Sequence, residues 1–481
     1  MQTSGMAVSQ PPAARLLDAD HRGLTIGLVL SVTLVAFEAL AVATVMPVAR
    51  DDLGGLRFYA WAFSAFLLAS LVSIAWAGAE CDRKGPARPL AVALILFGAG
   101  LAIAGAAPSM PVLVLGRAVQ GFGAGALTSV AYVSIGRGFD EELRPRMFAV
   151  LSSAWVIPGL LGPAAAAGVA EYIGWRAVFA GLLPLLAIAA YLVLPPLSKL
   201  APVANGAAPA DTTPQLRRAL RLATGVGLVL AGVSSPSILL GAVFVPFGLG
   251  IAVPAFLRLV PRGTVRLQRG TSAAVAGMGL LNLAFFGSET FIPLALKEIR
   301  GESTLVSGLV LTAATLGWTA GAWAAERLGR RVDRRTIALP GALVLTLGIA
   351  GVSTTVFPAV PITFVALSWA VGGFGIGLAY STFSLVVLAG AQEGSEGAAA
   401  SGMKLAEVLG GAIGIGLGGA LIAAGEAAGR VELATFGVFA FTAVAAVFCA
   451  LAGSRLIAHA VSNAPEGAHL PTPAVPVTEQ H

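Results

Sequence analysis

From Gly23 onward the chain alternates between apolar stretches and short polar or basic turns. Each stretch is close to the roughly 20 residues that span a bilayer. This alternation predicts helices near 23–48, 56–79, 88–107, 110–136, 145–170 and 174–195. Two shorter helices follow near 219–234 and 236–257, and six more near 270–294, 304–325, 336–356, 360–389, 397–424 and 432–460. The expected organisation is a polar N-terminal tail (1–22), a first six-helix bundle (23–196) and a cytoplasmic linker with two extra transmembrane helices (197–269). A second six-helix bundle (270–461) and a tail (462–481) complete it. The first tail lacks the apolar core and small-residue cleavage site of a signal peptide. The last is polar and proline-containing, so disorder is expected there.

Composition agrees with a membrane protein. Of 481 residues 57% are hydrophobic and 11% charged, and the mean hydropathy is +0.86. A soluble domain carries about 25% charged residues, so a soluble enzyme, a nucleic-acid reader and a disordered scaffold are excluded. With the N-terminus inside, the inner segments hold 22 of the 30 Lys and Arg residues and the outer turns six, while Arg117 and Lys404 lie within helices. That asymmetry predicts cytoplasmic termini in a multi-pass plasma (inner) membrane protein. Cys81 and Cys449 are the only cysteines, and the four histidines lie in the terminal regions. Disulfides, intramembrane metal sites and cofactors are therefore not expected.

An internal repeat divides the chain. Gly121-Phe122-Gly123-Ala124-Gly125 recurs as Gly373-Phe374-Gly375-Ile376-Gly377, offset by 252, and Gly159 and Gly162 recur as Gly411 and Gly414 at the same offset. Gly78, Asp82, Arg83 and Lys84 recur as Gly329, Asp333, Arg334 and Arg335, offset by 251. Two parallel copies of a six-helix unit, with an insertion between them, account for this pattern.

With these motifs the chain resembles transporters of the major facilitator superfamily over residues 23 to about 460. Its fourteen-helix layout is similar to the drug:proton antiporter branch. The loop Gly78-Ala79-Glu80-Cys81-Asp82-Arg83-Lys84-Gly85 resembles the superfamily's signature loop. The resemblance implies a gating role for Gly78, Asp82, Arg83 and Gly85, repeated at Asp333 and Arg334, with Asp82 pairing to the neighbouring bundle. A charged turn that only fixes topology would read the same way. Arg117-Ala118-Val119-Gln120-Gly121 resembles the R-x-x-Q-G motif of proton-coupled members. Pro158-Gly159-Leu160-Leu161-Gly162-Pro163 resembles the antiporter motif, although close helix packing also uses such residues.

Three acids lie well inside predicted helices: Glu38, Glu289 and Glu407. Intramembrane charges are costly, and so mark function by default. Glu38 stands roughly 23 Å into its helix at 1.5 Å per residue, just outside the midplane, and a cavity lined by both helices would make Arg117 its neighbour. Glu289 faces the cavity if its helix mirrors the first, or is simply hydrated near the outer end. Glu407 has Lys404 three positions earlier on the same helical face, either as a structural pair or as a switchable one. The proton-coupling candidates are thus Glu38, Arg117, Glu289, Glu407 and Lys404. Phe37, Gln120, Trp155, Phe285, Trp369 and Tyr380 are substrate-cavity candidates, the aromatic ones by stacking and cation–π contact, unless they face lipid. No phosphate-binding loop occurs, so ATP is not expected to be the driving partner. The expected partners are protons, a hydrophobic or cationic small molecule and the lipid bilayer. The expected function is proton-driven antiport that exports such molecules. Export of lipids or glycolipids through a lateral opening is the alternative.

Overall fold

The computed structural model describes residues 16–18, 21–140, 142–198, 213–333, 335–390 and 396–456. The first bundle comprises α1 (Arg22–Leu53), α2 (Trp61–Lys84), α3 (Ala87–Gly105), α4 (Met110–Gly138), α5 (Arg144–Ser153) with α6 (Val156–Tyr172), and α7 (Trp175–Ala180) with α8 (Leu182–Ser198). The antiparallel pair α9 (Thr213–Val233) and α10 (Ile238–Leu259) follows. The second bundle holds α11 (Thr271–Glu289) with α12 (Ile292–Arg300), α13 (Thr304–Leu328), α14 (Arg335–Val352), α15 (Ile362–Ala389), α16 (Glu396–Ala427) and α17 (Val431–Ser454). Each broken helix crosses once, which gives fourteen segments in a six, two, six order. Among the described residues, 12 are long and apolar enough to span by those criteria alone. The α5–α6 segment and α9 fall outside them. α6 has 17 residues, and α9 carries Arg217, Arg218 and Arg221 in its first half.

Three segments read from sequence as continuous helices are broken, and prolines explain all three. A proline ring clashes with the carbonyl four residues earlier and offers no N–H to it. Four residues before Pro158 stands Ala154, in the α5–α6 break. Four before Pro184 stands Ala180, where α7 ends. Four before Pro293 stands Glu289, where α11 ends. Other prolines, Pro47 and Pro163 among them, are accommodated inside continuous helices. α9 also begins six residues earlier than the apolar pattern indicates, because its first two turns are basic.

The sequence repeat reappears as a repeat of packing. A methyl group added at Gly121 or Gly125 would strike the backbone of Phe66 or Ser70 on α2. At Gly373 or Gly377 it would strike Ala314 or Trp318 on α13. Gly123 lies equally close to Ala93 and Phe97 on α3, and Gly375 to Gly341 and Leu345 on α14. Each of these partner pairs is 248 positions apart, so the bundles share one internal geometry. Only small residues permit such approach in lipid, where close van der Waals packing drives helix association.

The bundles meet along two seams related by the same pseudo-symmetry. On one, Gly159 of α6 faces Thr315 of α13, and the Pro163 carbonyl faces Gly308. On the other, Gly411 of α16 faces Leu67 of α2 and Gly419 faces Ala60, while Ser64 Oγ donates to the Ala412 carbonyl at 3.2 Å. These contacts lie toward the end that holds the α1–α2 turn. Arg50 Nη1 also reaches Glu298 Oε1 across the bundles there at 2.9 Å, Lys297 pairs with Asp51, and the Tyr59 hydroxyl donates to the Thr290 carbonyl at 3.0 Å. Toward the opposite end, Lys404 of α16 lies within electrostatic reach of Tyr132 of α4. Both are open to a solvent-sized probe, at 37% and 52% exposure. Between the bundles, ion pairs and direct hydrogen bonds gather at the end with the α1–α2 turn, and the exposure of Lys404 and Tyr132 makes the other end the more open one. Outside them, α9 packs over the α2–α16 seam, with Leu222, Val226 and Leu230 against Leu68, Leu71, Val408 and Ala412.

Candidate functional site

α1, α2 and α4 enclose a charged centre. Glu38 is fully buried and pairs with Arg117, itself 2% exposed. Arg117 Nη1 also donates to Gln120 Oε1 at 2.8 Å, and its Nε donates to the Ala62 carbonyl at 3.0 Å. The guanidinium lies over the Phe66 ring, 4.2 Å from its centroid. The cation is thus held by a counter-charge, two neutral acceptors and a π face. Glu38 Oε2 and Gln120 Nε2, by contrast, have no hydrogen-bond partner among the described residues. That oxygen keeps an unused lone pair to which a proton can bind. Phe37, beside Glu38, packs against Gly162 of α6.

At the corresponding place in the second bundle the arginine is absent. Trp369, 252 positions after Arg117, is buried and stacks on Phe285 of α11, with centroids 4.8 Å apart and planes 15° apart. Phe286 and Trp318 extend this aromatic group, and Trp318 reaches Tyr380 at 5.6 Å. The Tyr380 hydroxyl donates to Glu407 Oε2 at 3.0 Å, and Lys404 Nζ donates to Glu407 Oε1 at 2.7 Å. An aromatic surface therefore leads to a carboxylate and an ammonium at the edge of the opening between the bundles.

The remaining candidates are dispersed. Glu289 is 5% exposed, has no ion pair among the described residues, and closes α11 at the proline-induced break. Trp155 sits in the α5–α6 break, one turn before Gly159, and is 47% exposed. Asp82 Oδ1 accepts from Arg137 Nη2 of α4 at 2.7 Å, so its partner belongs to its own bundle rather than to the neighbouring one. Arg137 also donates to the Cys81 carbonyl at 3.0 Å, tying the ends of α2 and α4 together. Arg83 and Lys84 fold back on Glu80. Gly78 has open space around it, and Gly85 ends α2 at a φ of 77°. The Asp333 carbonyl accepts from Thr336. Arg334 lies outside the described residues.

The sequence profile of the Major Facilitator Superfamily matches residues 28–414. The chain belongs to this superfamily. A "Probable multidrug-efflux transporter" of Mycobacterium tuberculosis is 27% identical over 91% of this chain and 95% of its own length. The multidrug efflux pump SdrM of Staphylococcus aureus is 24% identical over 75% of this chain and 81% of its own. Among solved structures, a D-xylose-proton symporter superposes with a TM-score of 0.62 at 14% identity, covering 89% of this chain and 96% of its own. An inward-facing, unoccupied bacterial homologue of the human lysosomal transporter Spinster gives the same score and identity, covering 91% and 97%. At such identities the two structures establish the fold alone.

Three parts of this facilitator were not found from sequence. Ala62 and Phe66, which hold Arg117, are apolar residues among many. Tyr132, opposite Lys404, carries no charge to single it out. The clamp of Arg50, Asp51, Lys297 and Glu298 did leave a signal, since adjacent opposite charges stand at two helix ends, but their pairing spans about half the chain.

Proposed function

We propose that this facilitator exports amphiphilic or cationic small molecules by alternating access, driven by protons entering in exchange, with both termini in the cytoplasm and the plasma membrane as its site. The observation that carries the reading is the buried Glu38–Arg117 pair with its unpartnered Glu38 Oε2. In the conformation described, the end with the chain termini is open and Glu38 is paired, which suits a carrier that has released its proton inward and awaits substrate. In the alternate conformation a proton binds at Oε2, the carboxylate becomes a neutral carboxyl beside the Arg117 cation, and substrate departs. Arg117 does not give up its own proton; it sets the carboxylate's affinity for one. The aromatic group around Phe285, Trp318 and Tyr380, with Glu407 beyond it, offers a cationic amphiphile a π surface and a counter-charge. The efflux names of the relatives support export over uptake. The domain limits proposed are 23–196, 197–269 and 270–461.

The test is efflux of a fluorescent cationic dye from proteoliposomes under an imposed proton gradient. Uphill transport that stops on adding a protonophore supports proton drive. Uphill transport that continues unchanged without any gradient refutes it.

A further inference from the structure

The inserted helices hold a feature that the transport reading leaves unused. Between the start of α9 and the end of α10 lies a cleft of about 210 Å³, lined by Arg218, Arg221 and Arg258 together with Gly250, Ile251 and Pro254. Among the described residues these three arginines form no ion pair. Nor does any acid occur between Asp211 and Glu289, a stretch with seven arginines. Three unneutralised guanidiniums around one concavity repel one another unless an anion joins them. At Gly250 the cleft is open, with nothing within 4 Å of where a Cβ would stand. Along α10, one position before the lining residues Gly250, Pro254 and Arg258, runs the exposed apolar stripe Leu249, Val253 and Leu257. An anionic head and an apolar tail therefore find their surfaces side by side, at a helix end where a membrane interface falls.

We propose that this cleft binds the phosphate headgroup of an anionic phospholipid, with its acyl chains along the Leu249–Val253–Leu257 stripe. Arginine suits the task because its planar fork pairs bidentately with phosphate oxygens. Because α9 packs over the α2–α16 seam, a lipid fixed here would be bound to the element that bridges the two bundles.

The test uses the full-length protein in detergent, titrated with phosphatidylglycerol, phosphatidylethanolamine or inorganic phosphate, and read by native mass spectrometry and thermal shift. Phosphatidylglycerol should bind and stabilise, and the other two should not. The triple variant Arg218→Gln, Arg221→Gln, Arg258→Gln should weaken phosphatidylglycerol binding by roughly a hundredfold. Arg262→Gln with Arg266→Gln, which removes charge outside the cleft, should change it little. Gly250→Phe keeps every charge but fills the cleft, and should also release the lipid. Equal losses in the triple and the control variant, or binding that survives Gly250→Phe, would reduce the effect to general surface charge and overturn the proposal. Inorganic phosphate binding as tightly as the lipid would overturn the lipid as ligand. Each variant's elution profile and unliganded melting temperature show whether it folds.

Discussion

At the residue scale, the decisive question for Glu38 and Arg117 is whether the pair supports the fold or the transport cycle, and the energetics of buried ion pairs separate the two. Removing one partner leaves a buried charge uncompensated, at a cost of about 3–5 kcal/mol, whereas replacing both by apolar groups is often neutral or stabilising. Glu38→Gln should therefore lower thermal stability and abolish uphill dye efflux, while downhill exchange of a neutral substrate persists. The double variant Glu38→Leu, Arg117→Met should recover most of that stability without recovering uphill transport. If the double variant pumps, the pair is a strut and the proton site lies elsewhere, with Glu289 as the next carboxylate to replace. This pair was legible in the sequence because an Arg and a Glu inside apolar helices are rare enough to single each other out. Its neighbours Ala62 and Phe66 were not, since a carbonyl and a ring become ligands only through the approach of α2 to α4, which is fixed by Gly121 and Gly125.

At the scale of single elements, prolines and glycines decide where helices break and where they touch. Pro158, Pro184 and Pro293 each break a helix while Pro47 and Pro163 do not. Proline positions were therefore visible in the sequence, but the breaks depend on whether neighbouring helices accommodate the lost hydrogen bond. The break at Glu289 leaves this acid at a helix end rather than within a continuous span. Pro293→Ala restores the missing N–H and should fuse α11 with α12, slowing turnover more than it changes substrate affinity. Equal effects on both would place the break in substrate binding instead. Asp82 illustrates a smaller effect. Its pair with Arg137 is substantially exposed, and such pairs contribute about 0–1 kcal/mol. Asp82→Asn should slow transport by no more than about fivefold, since 1 kcal/mol is worth about that factor, and should leave substrate affinity intact. A loss of binding would contradict its placement at the α2–α4 ends, away from the cavity.

For the whole molecule, the repeat in the sequence was enough to read two like bundles with an insertion, because the glycines that create it also create the packing. The conformation was not legible, since one sequence must encode both states of an alternating carrier and no local pattern favours either. What favours the described state is the clamp at the closed end. Arg50 with Glu298, and Asp51 with Lys297, link turns of opposite bundles, assisted by the Tyr59–Thr290 hydrogen bond. Opening that end requires all of these to separate, so they bias the equilibrium without touching substrate or proton. Glu298→Arg sets like charges against Arg50 and Lys297 and should shift the population toward the opposite opening by about tenfold, the equivalent of about 1.4 kcal/mol. A reporter is available at Thr44, a buried residue whose methyl group lies close to Gly308 at the α6–α13 seam. In a background with Cys81 and Cys449 replaced by Ser, Thr44→Cys should react slowly with a membrane-impermeant maleimide added outside. Adding Glu298→Arg should accelerate that labelling, and further adding Arg50→Glu should slow it again, because the swapped pair restores the attraction across the bundles. If the reversed charges leave labelling unchanged, the clamp is incidental, and the packing of Gly159, Gly308 and Gly419 alone holds the closed end.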